Sequence, residues 1–379
     1  MAKTGCAWRP SWCRSDPGTG GRTRRRSAAV SGPIAVAMSG GVDSSVAAVL
    51  LKEQGHALVG VTLRMQVGGH ADGISRARAV AERLGFAHHV LDCAQEFEAL
   101  VLRPAWRDYA AGRTPSPCLV CNERIKFGVL LDWARGLGIE RMATGHYARL
   151  ERDPAGRPAL LRGRDAGKEQ SYFLAGLSLA QLERAVFPVG HLHKAEVRAL
   201  ARQHGLPTAE ASESQDACLV APGRSYADKL RRRFGAPARA GQIVNEAGQV
   251  VGEHDGIHGF TIGQRKGLPA GATTRRWVKA ISAETGRVIV TSDPGAILRA
   301  KFVAGDASWI AGDLPAVPLA CSVQIRYRHA SAPATIVAQD DGGLAVALER
   351  PATAVTPGQA AVFYDGERVL GRGWIALPG

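Results

Sequence analysis

The sequence predicts an α/β protein: a Rossmann-like parallel sheet followed by two small mainly-β domains, the last a β-barrel. Three observations carry this. Between residues 34 and 144, apolar strand-like runs alternate with helical periodicities, and repeated β-α-β order implies a parallel sheet covered by helices on both faces. After about residue 220 the helical pattern gives way to short strand pairs separated by turn residues, the spacing of small barrels or sandwiches. The length of 379 residues is enough for two or three domains, each with a sizeable core.

Residues 1–32 stand apart. They hold seven basic residues (Lys3, Arg9, Arg14, Arg22, Arg24, Arg25 and Arg26) against Asp16 alone, with Gly, Ser and Pro between them. Without apolar periodicity such a segment is expected to be a disordered basic extension. It is Arg-rich like a transit peptide but lacks the amphipathic pattern of one. Removing its +6 from the formal +14 leaves +8 on the remainder, so the folded part is basic too, which favours a polyanionic partner.

The next elements follow in order. Ile34 to Ala37 reads as a strand, and Val42 to Lys52 as a helix with Val42, Val46, Ala47, Leu50 and Leu51 on one face and Gly55 as its stop. His56 to Met65 reads as a strand, Ile74 to Leu84 as a helix, and Phe86 to Leu91 as a strand. Helices are expected from Phe97 to Ala110 and from Asn122 to Leu137, then a strand from Arg141 to Thr144. Hairpins are expected around Glu284-Thr285-Gly286, Asp340 to Gly343 and Asp365-Gly366. The expected domains are 33–222, 223–294 and 295–379.

The turn between the first strand and helix reads Ser39-Gly40-Gly41-Val42-Asp43-Ser44-Ser45. The glycines allow a sharp turn and close approach to a ligand, while Ser39, Asp43, Ser44 and Ser45 add hydroxyls and a capping carboxylate near the free N–H groups of the helix start. Such a place binds anions, because exposed amides and the helix dipole both favour negative charge. It could also be an ordinary tight turn. The loop lacks the Lys-Ser/Thr ending of a Walker A sequence, which excludes a kinase or GTPase phosphate loop. In open parallel sheets ligands sit beyond the carboxyl ends of the strands, where Ser39, Leu63 and Gly145-His146 would gather.

Seven cysteines in 379 residues do not make a disulfide scaffold. Cys118 and Cys121 form a CxxC on a Pro-rich loop feeding a helix, with Arg113, Arg124 and Lys126 nearby. Thiols so placed are expected to have depressed pKa values. Zinc, a redox pair and chance all remain compatible with a lone CxxC. Cys218 lies in a polar stretch almost a hundred residues on, Cys93 and Cys321 sit in apolar surroundings as packing residues, and Cys6 and Cys13 belong to the extension. No apolar run reaches membrane-spanning length.

Nine segments in colinear order carry a resemblance: AMSGGVDSS, GRTPSPCLVCNERIKF, ATGHYAR, KEQSYFLAGLS, FPVGHLHK, SESQDACLV, GEHDGIHGFTIGQRKGL, IRYRH and TPGQAAVFYDGE. From about Ile34 to the C-terminus the chain resembles the tRNA-specific 2-thiouridylases (MnmA/TrmU family), within the PP-loop ATP pyrophosphatases of adenine nucleotide α-hydrolase fold. The resemblance implies cytoplasmic, ATP-dependent 2-thiolation of the wobble uridine in tRNAs of the Lys, Glu and Gln type. AMP transfer to the C2 oxygen releases pyrophosphate, and persulfide sulfur then replaces the activated oxygen.

By the same resemblance, Ala37, Met38, Ser39, Gly40, Gly41, Val42, Asp43, Ser44, Leu63 and Gly145 surround ATP, with Mg²⁺ neutralising the phosphates. Cys218 is implied as the persulfide carrier and Cys121 as the nucleophile that frees sulfur, leaving a Cys121–Cys218 disulfide. Ser116, Pro117, Cys118, His146, Lys168, Glu169, Gln170, Arg326, Tyr327 and Gln359 match tRNA-contacting positions. The implied partners are tRNA and a persulfide sulfur-donor protein or cysteine desulfurase, with no DNA, no membrane and no protein-held metal site. Some family members carry Asp at the position of Cys118, so a catalytic carboxylate on this loop is missing here. A second reading therefore places a [4Fe–4S] cluster on Cys118, Cys121 and Cys218. Another adenylating PP-loop enzyme acting on a small molecule, of the argininosuccinate synthase or GMP synthetase type, and an inactive RNA-binding module are the competing classes. Neither accounts for both the loop and the paired cysteines.

Overall fold

Alternation along the first strand sets the architecture. In β1 (Ile34–Ala37), Ile34 and Val36 point to one face and Ala35 to the other, because successive side chains in a strand alternate, and all three are fully buried. This computed structural model describes residues 32–66, 71–211, 225–235, 240–269, 275–313, 316–340 and 342–376. The basic extension, Cys6, Cys13 and Cys218 lie outside the described residues.

β1, β2 (Leu58–Arg64), β3 (Ala87–Asp92) and β4 (Arg141–Ala143) are parallel neighbours, with Ile34 opposite both Leu58 and Arg141. A hairpin follows, β5 (Ala148–Arg152) with β6 (Pro158–Arg162), before the short β7 (Ala185–Val186) completes the sheet beside β4, giving the order β3-β2-β1-β4-β7. Helices α1 (Val42–Glu53) and α2 (Ala71–Leu84), with the Lys194–Gln203 helix, cover one face, where Ile34 and Val36 meet Val46, Val49, Val80 and Val197. Ala35, Val61 and Met142 face Leu119, Phe127, Leu130 and Leu182 on the other. Both faces are therefore covered, as the sequence pattern predicts.

The observed elements differ from expectation mainly at their ends. The helix expected near Asn122 instead starts at Pro117 and runs through residues 117–136, with a π-helical stretch over Cys121–Leu130. Proline is suited to a first helical position, where its missing N–H would have had no partner, so a Pro-rich entry does not delay this helix.

The second region is the sheet β10-β11-β8-β9, built from β8 (Gly241–Val244), β9 (Val250–His254), β10 (Trp277–Ser282) and β11 (Arg287–Thr291) around Ile243, Val278, Val288 and Val290. The third has β12 (Leu298–Trp309), β13 (Leu319–Gln324), β14 (Ala332–Ala338), β15 (Leu344–Thr353), β16 (Ala360–Asp365) and β17 (Arg368–Ala376). Their order β12-β15-β14-β13-β16-β17 closes through β12–β17 into a six-stranded barrel, which removes open edges. Phe302, Val323, Ile336, Val346 and Phe363 fill it. Gly366 sits at φ +56 in the β16–β17 turn, a left-handed conformation that glycine adopts without cost.

The β5–β6 hairpin does not extend the parallel sheet. It pairs with the start of β17, ahead of the residues 371–376 through which β12 closes the barrel, with Leu161 opposite Arg368, the Arg162 N–H donating to the Glu367 carbonyl at 2.9 Å, and Arg149 paired with Glu367 at 2.6 Å. The first and third regions thus share one hydrogen-bonded sheet. Among the described residues no helix is long and apolar enough to cross a membrane.

Candidate nucleotide loop and thiol site

The loop after β1 is built from backbone turns and serines. Gly40 has φ +75, and a Cβ there would lie 2.2 Å from the Gly73 oxygen, so only glycine fits this approach to α2. Ser44 Oγ accepts from the Ser39 N–H at 3.2 Å and donates to the Gly41 carbonyl at 3.1 Å, while Ser45 Oγ donates to the same carbonyl at 2.9 Å. Arg76 reaches from α2 to the Gly40 carbonyl at 3.0 Å. The expected capping role of Asp43 is not what the structure contains. Its carboxylate turns away to accept from the Tyr147 hydroxyl at 2.7 Å and the Lys194 ammonium at 2.6 Å. The first-turn amides of α1 begin at Gly41, which has no side chain to cap them, the arrangement that favours an anion.

β4 delivers Gly145 and His146 beside this loop. A Cβ on Gly145 would fall 2.6 Å from the Ser44 nitrogen and 2.7 Å from the Asp43 carbonyl carbon. Leu63 lies two positions beyond Val61, the partner of Ala37 in register, and Ala37 and Leu63 both pack against the apolar layer under the sheet. Met38 is buried on the other face, where its carbonyl accepts from Thr62 at 2.8 Å.

His146 is buried, with Nδ1 2.7 Å from Thr144 Oγ1 and Nε2 3.4 Å from Lys126 Nζ. An ammonium can only donate, so Nε2 accepts and Nδ1–H donates to Thr144. Burial, reinforced by the Lys126 charge, holds its pKa well below the usual histidine value, leaving the ring neutral.

Lys126 belongs to the helix over 117–136, which also holds both CxxC thiols. Cys118 and Cys121 lie three residues apart on one helical face. Cys118 is half-buried, whereas Cys121 is buried in an apolar cluster with Phe97, Val101, Ile125 and Leu230. Gln181 braces the π-helical stretch, its Nε2 donating to Glu123 O at 3.0 Å and Phe127 O at 2.9 Å. Cys93 and Cys321, read from sequence as packing residues, have thiols that burial pushes up to about 11. Among the described residues no three His, Cys, Asp or Glu converge as a metal cage.

The remaining sequence-predicted residues gather in two places. The segment after Lys168 is linked to the one holding Arg326 and Tyr327: Arg162 bonds both Glu169 and Gln324, and the Tyr327 ring packs on Phe173 with centroids 4.3 Å apart. Arg326 is exposed, Glu169 pairs with Arg162 at 3.2 Å, and Gln170 Oε1 accepts from the Tyr147 N–H at 3.0 Å. Ser116, Pro117 and Cys118 lie beside Gln359, whose Nε2 donates to the carbonyls of Thr114 and Pro115. Cys218, the remaining residue of the set, lies outside the described residues. Sequence reading missed Tyr147, Lys194, Arg76 and Arg372, and named Lys126 only as a charge near the thiols, without its contact to His146. Tyr147 and Lys194 stand inside ATGHYAR and FPVGHLHK, so their signal was present without a role attached.

Family models match in order: the tRNA methyl transferase HUP domain over residues 33–222, the tRNA methyl transferase PRC-barrel domain over 231–292, and the aminomethyltransferase beta-barrel domain over 299–375. The relative from Geobacter metallireducens, a tRNA-specific 2-thiouridylase MnmA, is 44% identical over 90% of this chain and 96% of its own. Relatives of the same name are 44% identical in Chloroflexus aggregans, over 91% and 98% of the two chains, and 43% in Rhodospirillum centenum, over 90% and 91%. A solved NMN synthetase from Francisella tularensis aligns over 54% of this chain and 77% of its own at 14% identity and a TM-score of 0.33, too distant to argue from. The chain belongs to the tRNA-specific 2-thiouridylase MnmA family.

Proposed function

We propose that the chain is an ATP-dependent tRNA sulfurtransferase that converts the wobble uridine of Lys-, Glu- and Gln-type tRNAs to 2-thiouridine in the cytoplasm. One observation carries this reading: Gly145 and His146 bridge two kinds of chemistry. Gly145 abuts the Ser44 and Asp43 backbone, and His146 contacts Lys126 on the helix that holds Cys121. An anion-binding loop and a thiol helix then serve one reaction space.

In this reading residues 33–222 form the catalytic domain, 223–294 a central β domain and 295–379 the tRNA-binding barrel. Residues Ala37 to Ser44, with Leu63 and Gly145, hold ATP. The loop fits a polyphosphate, since it offers helix-start amides and glycines at positions where a Cβ would collide. Mg²⁺, when bound, supplies charge neutralisation on the phosphates. The uridine C2 oxygen attacks the α-phosphorus, the α–β bridge breaks, and pyrophosphate leaves.

The Cys121 thiolate then attacks the inner sulfur of a Cys218 persulfide. A Cys121–Cys218 disulfide forms and hydrosulfide is released, which adds to C2 and displaces AMP. A thiol reductant resets the pair, and a persulfide sulfur-donor protein or cysteine desulfurase reloads Cys218. Seven positions separate Cys218 from Ser225, the N-cap of the Tyr226–Phe234 helix. Leu230 of that helix lies in the same cluster as Cys121, which supports the pairing. Arg326, Tyr327, Lys168, Glu169, Gln170, His146 and the turn Ser116 to Cys118 contact the RNA.

The test is pyrophosphate release from ATP with and without tRNA, alongside 2-thiouridine measured by mass spectrometry of the digested tRNA. Release that requires tRNA and matches thiolation is expected. Release stimulated by a small molecule but not by tRNA would overturn the reading.

A further inference from the structure

The barrel holds the thiol-bearing segment at both ends. Before the thiols, Gln359 Nε2 donates at 2.9 Å to the carbonyls of Thr114 and Pro115. A primary amide has two hydrogens, so both are committed to this loop. Around them the Thr114 N–H donates to the Pro357 carbonyl at 2.9 Å, and the Ala360 N–H donates to Ser116 Oγ at 3.3 Å. The approach is close enough that a Cβ on Gly358 would meet the Thr114 oxygen at 2.9 Å.

After the thiols, Arg372 of β17 pairs with Glu123 at 3.2 Å, with side chains only 9% and 14% exposed. Arg372 also donates to the Asp306 carbonyl at 3.1 Å and stacks on Trp374. Glu123 fills a place that Gly176 leaves open, since a Cβ there would lie 2.6 Å from its carboxylate. A charge so enclosed needs its partners; Arg124 on the same helix supplies one at 3.0 Å, and Arg372 supplies the one that comes from the barrel. Cys118 and Cys121 lie between these two anchor points, on a helix whose π-helical register already departs from the usual hydrogen bonding.

We propose that Gln359 and Arg372 are positioning residues, through which the C-terminal barrel fixes residues 114–123 and completes the thiol site. Gln359 then acts on the CxxC loop rather than on the RNA, to which the resemblance assigns it. The inference rests on the proposed role of Cys121, but its test does not. Cys121 is buried, so its alkylation requires local opening of the segment. Cys93 is buried in the same apolar cluster but sits at the end of β3, outside the anchored segment, so its labelling reports opening of the cluster as a whole.

The experiment is iodoacetamide labelling of the full chain without tRNA, followed cysteine by cysteine by mass spectrometry, for wild type, Gln359→Met, Arg372→Met and Arg372→Lys. Loss of either anchor is expected to raise Cys121 labelling about ten-fold while the Cys93 rate is unchanged, with Arg372→Lys between Arg372→Met and wild type. The tRNA affinity of Gln359→Met should stay within about three-fold of wild type, since no RNA-facing donor is lost. Unchanged Cys121 labelling in both Met variants, or a matching rise at Cys93, overturns the proposal. So does a ten-fold loss of tRNA affinity in Gln359→Met without any labelling change. If Cys121→Ser still thiolates tRNA, the nucleophile reading fails while the labelling result stands on its own.

Discussion

The Lys194 ammonium lies 2.6 Å from Asp43 Oδ1, the same oxygen that the Tyr147 hydroxyl reaches at 2.7 Å. Lys194 is the first residue of its helix, where the dipole disfavours a cation, and its side chain is only 12% exposed. The Asp43 carboxylate offsets this cost. Tyr147 is held in turn by paired backbone and side-chain bonds to Gln170, so Asp43 is oriented by two elements distant from it in sequence.

Asp43→Ala is therefore expected to abolish tRNA-dependent pyrophosphate release and leave tRNA affinity nearly intact. Lys194→Met should raise the KM for ATP by about ten-fold, the size of one charge-assisted hydrogen bond. Pyrophosphate assays and filter binding with the same preparations measure both. Joint loss of release and tRNA binding in Asp43→Ala would show that the two surfaces are not separate.

His146 makes stability depend on pH. Its folded pKa lies well below the ordinary 6.5 because burial disfavours the charged ring. The unfolded chain therefore binds more protons below 6.5, and stability falls as pH drops through that value toward the folded pKa. His146→Gln removes this part of the dependence. Burial lowers His88, His258 and His329 too, so the variant should show a shallower fall in Tm between about pH 7.5 and about pH 5.5 rather than none. Parallel profiles for variant and wild type would count against a neutral His146.

Arg326 is exposed and Lys168 half-buried, on two segments that meet at the Phe173–Tyr327 contact. If each meets a phosphate, Arg326→Ala and Lys168→Ala should each reduce the salt slope of tRNA affinity by about one unit. Titrations over several salt concentrations decide this, and an unchanged slope in both variants leaves them as solvated charges.

Cys118→Ser separates the two sulfur chemistries. In the relay, Cys121 and Cys218 must come within disulfide reach, roughly 4.4–6.8 Å between Cα atoms, and Cys118 is dispensable. In the cluster reading all three thiolates are ligands of similar importance. Anaerobic, iron-free assays with a persulfide donor are expected to find measurable thiolation by Cys118→Ser and none by Cys121→Ser or Cys218→Ser. Activity that tracks iron content, with Cys118→Ser equally inactive, would favour the cluster.

The chain by itself determined what depends on neighbours in sequence. Alternating β and α periods placed β1, α1, β2, α2 and β3 within a few residues, since burial of one face imposes the period directly. Glycine at Gly40 and Gly366 marked backbones that need positive φ. The loop and CxxC residues were legible because each lies in a short segment whose composition carries its chemistry. Only the tertiary structure decided which distant groups meet them. Asp43 finds Lys194 across 151 positions, and Gln359 finds Thr114 across 245. The β5–β6 hairpin, read from sequence simply as part of the first domain, pairs with β17 of the barrel. Local propensity cannot specify such partners. A polar side chain buried by packing must find a matching donor or acceptor, and which one it finds depends on how layers far apart in the chain come together.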